Sequence, residues 1–196
     1  MEKNRLEAFS DGVLAIIITI MVLELKVPIG SDIAVLKPIL PVFLTYVLSF
    51  VYVGIYWNNH HHLIKAAHKV NGAMMWANLH LLFWLSLFPF VTGWMGENHF
   101  TLAPTAIYGA VALMAGVAYY ILQSVILAAQ GRDSKLAVSI GRDFKGKVSL
   151  AAYAGAIGAA VFRPWIACCI YGLVALMWLI PDRRIAGVVD ESGHKP

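Results

Sequence analysis

The sequence predicts an all-α, polytopic membrane protein with six transmembrane helices, and three observations lead to this fold class. The 196-residue chain is 60% hydrophobic and 13% charged, whereas soluble domains are roughly 45–50% apolar and about 25% charged. Its mean hydropathy is +0.71. The hydrophobic fraction amounts to about 118 residues, and six spans of ~20 residues need ~120. A soluble enzyme, a disordered chain and a nucleic-acid partner are therefore not expected.

Six apolar stretches form one predicted domain over residues 1–196. The predicted spans cover about 5–26, 33–60, 73–95, 102–129, 146–161 and 164–181. Pro38 and Pro41 fall in the first turns of the second span, where proline is tolerated. The fifth span is short and rich in Ala and Gly, which favours close packing of membrane helices. Cys168 and Cys169 are adjacent inside the sixth span, so neither a disulfide framework nor a zinc site is expected.

The distribution of basic residues predicts that both termini are cytosolic. With the N-terminus inside, twelve of the 15 Lys and Arg residues lie in inner segments and three lie in outer segments. The inner ones are Lys3, Arg5, Lys65, Lys69, Arg132, Lys135, Arg142, Lys145, Lys147, Arg183, Arg184 and Lys195, and the outer ones are Lys26, Lys37 and Arg163. Cytoplasmic loops carry an excess of Lys and Arg, so this orientation explains the basic net charge.

The first span combines an apolar stripe with one acidic residue. At about 100° per residue, one third of the helix circumference carries the stripe. Its members are Phe9, Gly12, Ile16, Thr19, Ile20, Leu23 and Val27. Periodicity alone makes this stripe a helix–helix or lipid-facing surface. Asp11 projects roughly 140° from Ile16, and an ionised side chain in a span needs partners. Asp11 and Ser10 either tie helices together or belong to an ion or proton relay.

Three consecutive histidines, His60, His61 and His62, are the other polar cluster of the predicted spans. Ligands on one helix need i,i+3 or i,i+4 spacing to share a face, so consecutive histidines do not form a metal site. We expect no metal and no cofactor. The imidazoles are predicted to bond polar groups on neighbouring helices, and Asn78, His80 and Ser86 on the third span are possible partners.

The absence of known catalytic and channel motifs narrows the function. The sequence contains no P-loop, G-x-S-x-G, H-E-x-x-H or dinucleotide fingerprint, so no enzymatic activity is expected. The T-V-G-Y-G filter of potassium channels is also absent.

Three ordered motifs resemble the transmembrane protein 175 family of potassium channels. The first is Arg5-x-x-x-Phe9-Ser10-Asp11, which is similar to the family signature R-x-x-x-F-S-D. The second is Tyr56-Trp57-Asn58-Asn59-His60-His61, and the third combines Asn78-Leu79 with Ser86-Leu87-Phe88-Pro89-Phe90. Six spans with both ends inside also match one family repeat over nearly the whole chain.

The resemblance implies a channel whose first helices line the pore. It places the hydrophobic constriction at Ile16, further apolar layers at Ile20 and Leu23, and a selectivity-related hydroxyl at Thr19. A single-repeat chain would form a homotetramer, looks prokaryotic, and would lie in the plasma membrane, multi-pass in the lipid bilayer. K⁺ is the permeant ion that the resemblance implies. Independently of the resemblance, Glu24 near the outer mouth either concentrates monovalent cations electrostatically or is a solvated charge at the helix end beside Lys26.

In the same resemblance, Ser10 and Asp11 contact His60 or His61 on the second helix and Asn78 on the third. Two other classes stay open at this stage. A small proton-coupled secondary transporter would use Asp11 and the His60–His62 cluster as a relay. A membrane-embedded metal or haem enzyme would use the histidine cluster alone.

Overall fold

A computed structural model describes residues 2–67, 69–130 and 143–179, and every secondary-structure element within them is a helix. The helices are α1 (Lys3–Leu23), α2 (Leu40–Ala66), α3 (Gly72–Ser86), α4 (Phe88–Glu97), α5 (Leu102–Gln130), α6 (Phe144–Phe162) and α7 (Pro164–Leu179). A 3-10 helix, Ile33–Ile39, precedes α2. The prediction of an all-α, polytopic membrane protein is confirmed.

Four helical segments are long and apolar enough to cross a membrane. They are Lys3–Leu23, Ile33–Ala66, Gly72–Glu97 and Leu102–Gln130. Helix α7 is apolar but has only 16 residues, about 24 Å at 1.5 Å per residue. Residues 180 and 181 of the sixth predicted span lie outside the described residues, as do several inner basic positions and the C-terminus.

The second span begins at residue 33 as predicted, but its first part, Ile33–Ile39, is a 3-10 helix and the α-helix starts later. Proline has no N–H to donate, so a helix starting at residue 33 would lose bonds at Pro38 and Pro41. Helix α2 instead begins at Leu40, with Pro41 in the first turn, where no intrahelical N–H is needed. At its other end α2 continues past the predicted residue 60 to Ala66, so the three histidines lie within the helix.

The third predicted span is one membrane segment made of two helices. It breaks at Leu87, between α3 and α4. Pro89 follows directly, and a proline inside a helix removes one hydrogen bond and clashes with the carbonyl four residues earlier, here that of Leu85. The break therefore falls where Pro89 would interrupt a continuous helix.

Helix α5 lies in the middle of the bundle and packs against α3, α4, α6 and α7, while α1 packs against α2, α3 and α4. Glycines of α5 lie against α6, since a Cβ on Gly109 would stand 3.0 Å from Ile157 and one on Gly116 would stand 2.9 Å from Leu150. Near the C-terminal end of α4, Gly96 lies against the backbone of α2. A Cβ there would stand 2.6 Å from Cα of Val42, so only glycine permits this approach.

Candidate functional site

Helix α1 has one face that packs into the bundle. Its buried residues are Leu6, Ser10, Leu14, Ile17 and Met21. They recur every three or four positions, as one face of an α-helix requires. This face contacts α2, α3 and α4.

The opposite face of α1 carries the predicted apolar stripe. Ile16, Ile20 and Leu23 are 58%, 43% and 76% exposed, and Phe9 and Thr19 are exposed beside them. Arg5 is exposed too, and eleven residues at about 100° each place it roughly 20° from Ile16. The structure thus puts Arg5 and Phe9 on the outward face of α1, not in the contacts between helices.

The hydroxyl of Thr19 is hydrogen-bonded within its own helix. Its Oγ1 donates to the carbonyl oxygens of Ala15, at 3.1 Å, and Ile16, at 2.9 Å. A hydroxyl has one proton and two acceptor lone pairs. The hydroxyl proton of Thr19 is therefore used in a hydrogen bond to the backbone of α1. The hydroxyl oxygen can still accept a hydrogen bond on the outward face.

A buried hydrogen-bonded chain connects α1, α2 and α3. Nδ2 of Asn78 donates to Oγ of Ser10 at 2.9 Å, and Oδ1 of Asn78 lies 2.6 Å from Nε2 of His60. Ser10 Oγ in turn donates to the carbonyl of Leu6 at 2.9 Å. Ser10, Asn78 and His60 are at most 1% exposed. Nδ1 of His60 has no hydrogen-bond partner among the described residues.

Asp11 has a different partner from those that the resemblance implied. Its Oδ1 accepts a hydrogen bond from Nε1 of Trp57 on α2, at 3.0 Å. Trp57 was not among the predicted site residues. The signal was present, because Trp57 stands in the same motif as His60, one helical turn earlier.

His61 faces α1 rather than α3. Its Nδ1 lies 2.7 Å from Oε1 of Glu7, and the two side chains are 34% and 20% exposed. The sequence reasoning missed Glu7, which occupies an unspecified position of the R-x-x-x-F-S-D pattern. One turn earlier, Nζ of Lys3 donates to the carbonyl of Lys65 at 3.0 Å. The three histidines do not converge, and the described residues hold no group of three His, Cys, Asp or Glu side chains able to bind a metal.

Glu24 ends α1 and turns toward α4. A Cβ built on Gly93 would lie 2.5 Å from Oε2 of Glu24, so the carboxylate rests where Gly93 has no side chain. Lys26 forms an ion pair with Glu97, which lies on α4 like Gly93. The hydrogen bond from Lys26 to Glu97 and the negative charge of that carboxylate raise the Lys26 pKa. Both contacts hold the C-terminal end of α1 and the residues after it against α4.

The chain is similar to known channels in sequence and in fold. Residues 5–89 match the family described as endosomal/lysosomal potassium channel TMEM175. A protein of Chryseobacterium sp. (strain P1-3), named a potassium channel, is 58% identical over 98% of this chain and 100% of its own length. The human endosomal/lysosomal proton channel TMEM175 is 40% identical over 38% of this chain and 17% of its own length.

One solved structure has the same fold. It is the crystal structure of a homologue of the lysosomal potassium-selective channel TMEM175 from Chamaesiphon minutus. The TM-score is 0.76, and the match covers 92% of this chain and 98% of that chain at 22% sequence identity. The matched family region, residues 5–89, begins at Arg5 and ends at Pro89, so it contains the first two motifs and all of the third except its last residue, Phe90.

Proposed function

Because this chain belongs to the TMEM175 family of ion channels, we propose that it is a leak-type cation channel selective for potassium. The observation that carries the proposal is the outward face of α1. This face keeps Ile16, Ile20 and Leu23 exposed while the opposite face is buried in the protomer. The relative that is 58% identical is named a potassium channel, which supports potassium as the permeant ion of this chain.

The proposed pore forms when four copies bring their α1 stripes together around one axis. One chain supplies one such helix, so the pathway needs a homotetramer. Ile16 would then form a narrow apolar ring, with Ile20 and Leu23 as further layers and Thr19 offering an oxygen between them. Hydrophobic constrictions gate by dewetting, so no T-V-G-Y-G filter is required. The channel uses no cofactor and no enzymatic step.

The same proposal includes the orientation in a prokaryotic plasma membrane, with both termini in the cytoplasm. The basic residues of the chain support it through the positive-inside rule. Glu24 would then lie near the outer mouth. Since its carboxylate rests against Gly93 of its own protomer, it would contribute its charge from the side of the pore rather than from the axis.

Ion flux into liposomes is the direct test. Purified protein in vesicles should pass potassium faster than sodium and should not pass N-methyl-glucamine. Equal potassium and sodium flux would refute the selectivity, and a pH-sensitive dye inside the vesicles measures proton flux in the same preparation. Saturable flux coupled to a substrate would instead indicate the proton-coupled transporter based on Asp11 and His60–His62.

The substitution Ile16→Asn tests the constriction itself. A polar ring holds water, which lowers the barrier, and a reduction of only about 1.4 kcal/mol raises the rate tenfold. We expect potassium flux to rise by about that factor and selectivity to fall. Ile17→Asn is not a suitable control because Ile17 is buried. Val22→Asn is the control, since Val22 is exposed on a different side of α1. Unchanged flux in Ile16→Asn would remove Ile16 from the constriction.

A further inference from the structure

Three contacts join α1 to α2 at regular intervals. They pair Lys3 with the Lys65 carbonyl at 3.0 Å, Glu7 with His61 at 2.7 Å, and Asp11 with Trp57 at 3.0 Å. From one contact to the next, the residue number rises by four on α1 and falls by four on α2. The two helices are therefore antiparallel here, and all three contacts lie on one face of each helix. We call this set the α1–α2 ladder.

The middle contact of the ladder joins two groups able to carry opposite charges. The side chains of Glu7 and His61 are 20% and 34% exposed, whereas those of Glu97 and Lys26 in the outer ion pair are 44% and 81% exposed. Partial burial reduces screening by water and salt. The ring of His61 also lies 6.4 Å from that of Trp57, so the imidazole is held between two contacts of the ladder.

The ladder acts on the side of α1 that is opposite to the stripe. Nine residues at about 100° each place Glu7 roughly 180° from Ile16 around the helix axis. By the same count, Leu23 lies roughly 160° from Glu7. A contact at Glu7 therefore opposes rotation of α1 about its axis, and such a rotation would turn Ile16 toward the bundle and Ile17 out of it.

We propose that Glu7 and His61 are positioning residues of the channel, which set the rotation of α1 so that Ile16, Ile20 and Leu23 face away from their own bundle. The inference rests on the proposed function for its consequence in conduction. The rotation itself is a property of one protomer and can be measured without any ion flux.

Cysteine reactivity measures the rotation. In a background with Cys168→Ser and Cys169→Ser, Ile17→Cys should react slowly with N-ethylmaleimide because Ile17 is 4% exposed, and Ile20→Cys should react faster because Ile20 is 43% exposed. Adding Glu7→Ala or His61→Ala should lower the ratio of the Ile20→Cys rate to the Ile17→Cys rate by about tenfold. Combining Glu7→Ala with His61→Ala should not change this ratio further. Glu2→Gln is the matched control, since Glu2 is an acid at the same helix end whose side chain makes no capping hydrogen bond.

Rescue separates positioning from a general loss of structure. Glu7→Gln keeps an acceptor and should retain most of the wild-type rate ratio, and the exchange Glu7→His with His61→Glu should restore it. If Glu7→Ala fails to accumulate in the membrane, the rate ratios of Glu7→Gln and of the exchange variant still test the positioning role. Rates that stay at the wild-type ratio in Glu7→Ala and in His61→Ala would overturn the proposal.

Flux measured on the same variants distinguishes this inference from the proposed function. Altered reactivity with altered potassium flux supports both. Altered reactivity with unchanged flux supports the positioning role and contradicts the pore assignment of the stripe. Unchanged reactivity in Glu7→Ala together with increased flux in Ile16→Asn overturns the positioning role and leaves the channel assignment intact.

Discussion

Asn78 joins three helices through one buried amide. An amide oxygen only accepts and an amide nitrogen only donates, so the direction of the chain from His60 through Asn78 to Ser10 follows from the geometry. Nε2 of His60 carries the proton that Asn78 accepts. Oγ of Ser10 accepts a hydrogen bond from Nδ2 of Asn78 and donates one to the carbonyl oxygen of Leu6.

Replacing Asn78 should therefore destabilise the protein more than replacing Ser10. Asn78→Leu leaves Nε2 of His60 without a partner, and a buried unsatisfied donor costs about 1–3 kcal/mol. Asn78→Leu also breaks the contact with Ser10, whereas Ser10→Ala leaves the hydrogen bond between His60 and Asn78 in place. Thermal unfolding in detergent should show a clearly lower midpoint for Asn78→Leu than for Ser10→Ala. An Asn78→Leu midpoint equal to wild type would show that the chain contributes nothing to stability.

Among the helical elements, α4 depends on close approach to α2. Thr45 and Val42 lie where a side chain at Gly96 would extend, with the Thr45 Oγ1 at 2.5 Å and the Val42 Cα at 2.6 Å from the position of a Cβ. The neighbour at Val42 is backbone, so it moves only if α2 moves. This contact keeps α4, the second helix of the broken third span, against α2.

Gly96→Ala should force α4 away from the N-terminal end of α2. Overpacking of this kind costs about 1–3 kcal/mol. Gly155→Ala on α6 is the matched control, because a Cβ there meets nothing within 4 Å and alanine is the better helix former. Unfolding in detergent should rank Gly96→Ala below wild type and Gly155→Ala at or above it. Equal midpoints for both variants would contradict the close contact.

At the scale of the whole molecule, α1 is held by the bundle on one side and left open on the other. Its N-terminal half is attached to α2 through the ladder and to α3 through Ser10 and Asn78, and the segment that follows its C-terminus is attached to α4 through Lys26 and Glu97. These contacts all lie away from the stripe. The protomer thus presents an apolar surface that a tetramer would bring to its axis.

Cross-linking between copies tests that assembly. In the background without native cysteines, Ile16→Cys should form disulfide-linked dimers on mild oxidation, since four copies around a narrow ring place cysteines within bonding distance. Ile17→Cys should stay monomeric on a denaturing gel because its side chain is buried in its own protomer. The tetramer would be contradicted if Ile17→Cys cross-linked as well as Ile16→Cys or if neither did. Native mass measurement in detergent supplies an independent count of copies.

Composition and motif order were sufficient for the fold class and the family. A bilayer demands long apolar helices whatever their partners are, so hydropathy indicated the four candidate spans of the described residues, although the second continues past its predicted end to Ala66. The two faces of α1 were also readable, because helical periodicity assigns each residue an angle without knowledge of its neighbours. The resemblance correctly brought Ser10, His60 and Asn78 close together, although the order of their hydrogen bonds could not be read from it.

The partners of Asp11, Glu7 and Glu24 came only from the tertiary structure. Each contact depends on how far two helices are offset and rotated, and these quantities follow from packing over the whole bundle rather than from any local pattern. Trp57, His61 and Gly93 were all visible in the sequence, yet nothing local matched them to α1. The break at Leu87 had a visible cause in Pro89, but whether a proline kinks a span or ends it is decided by the helices packed around it.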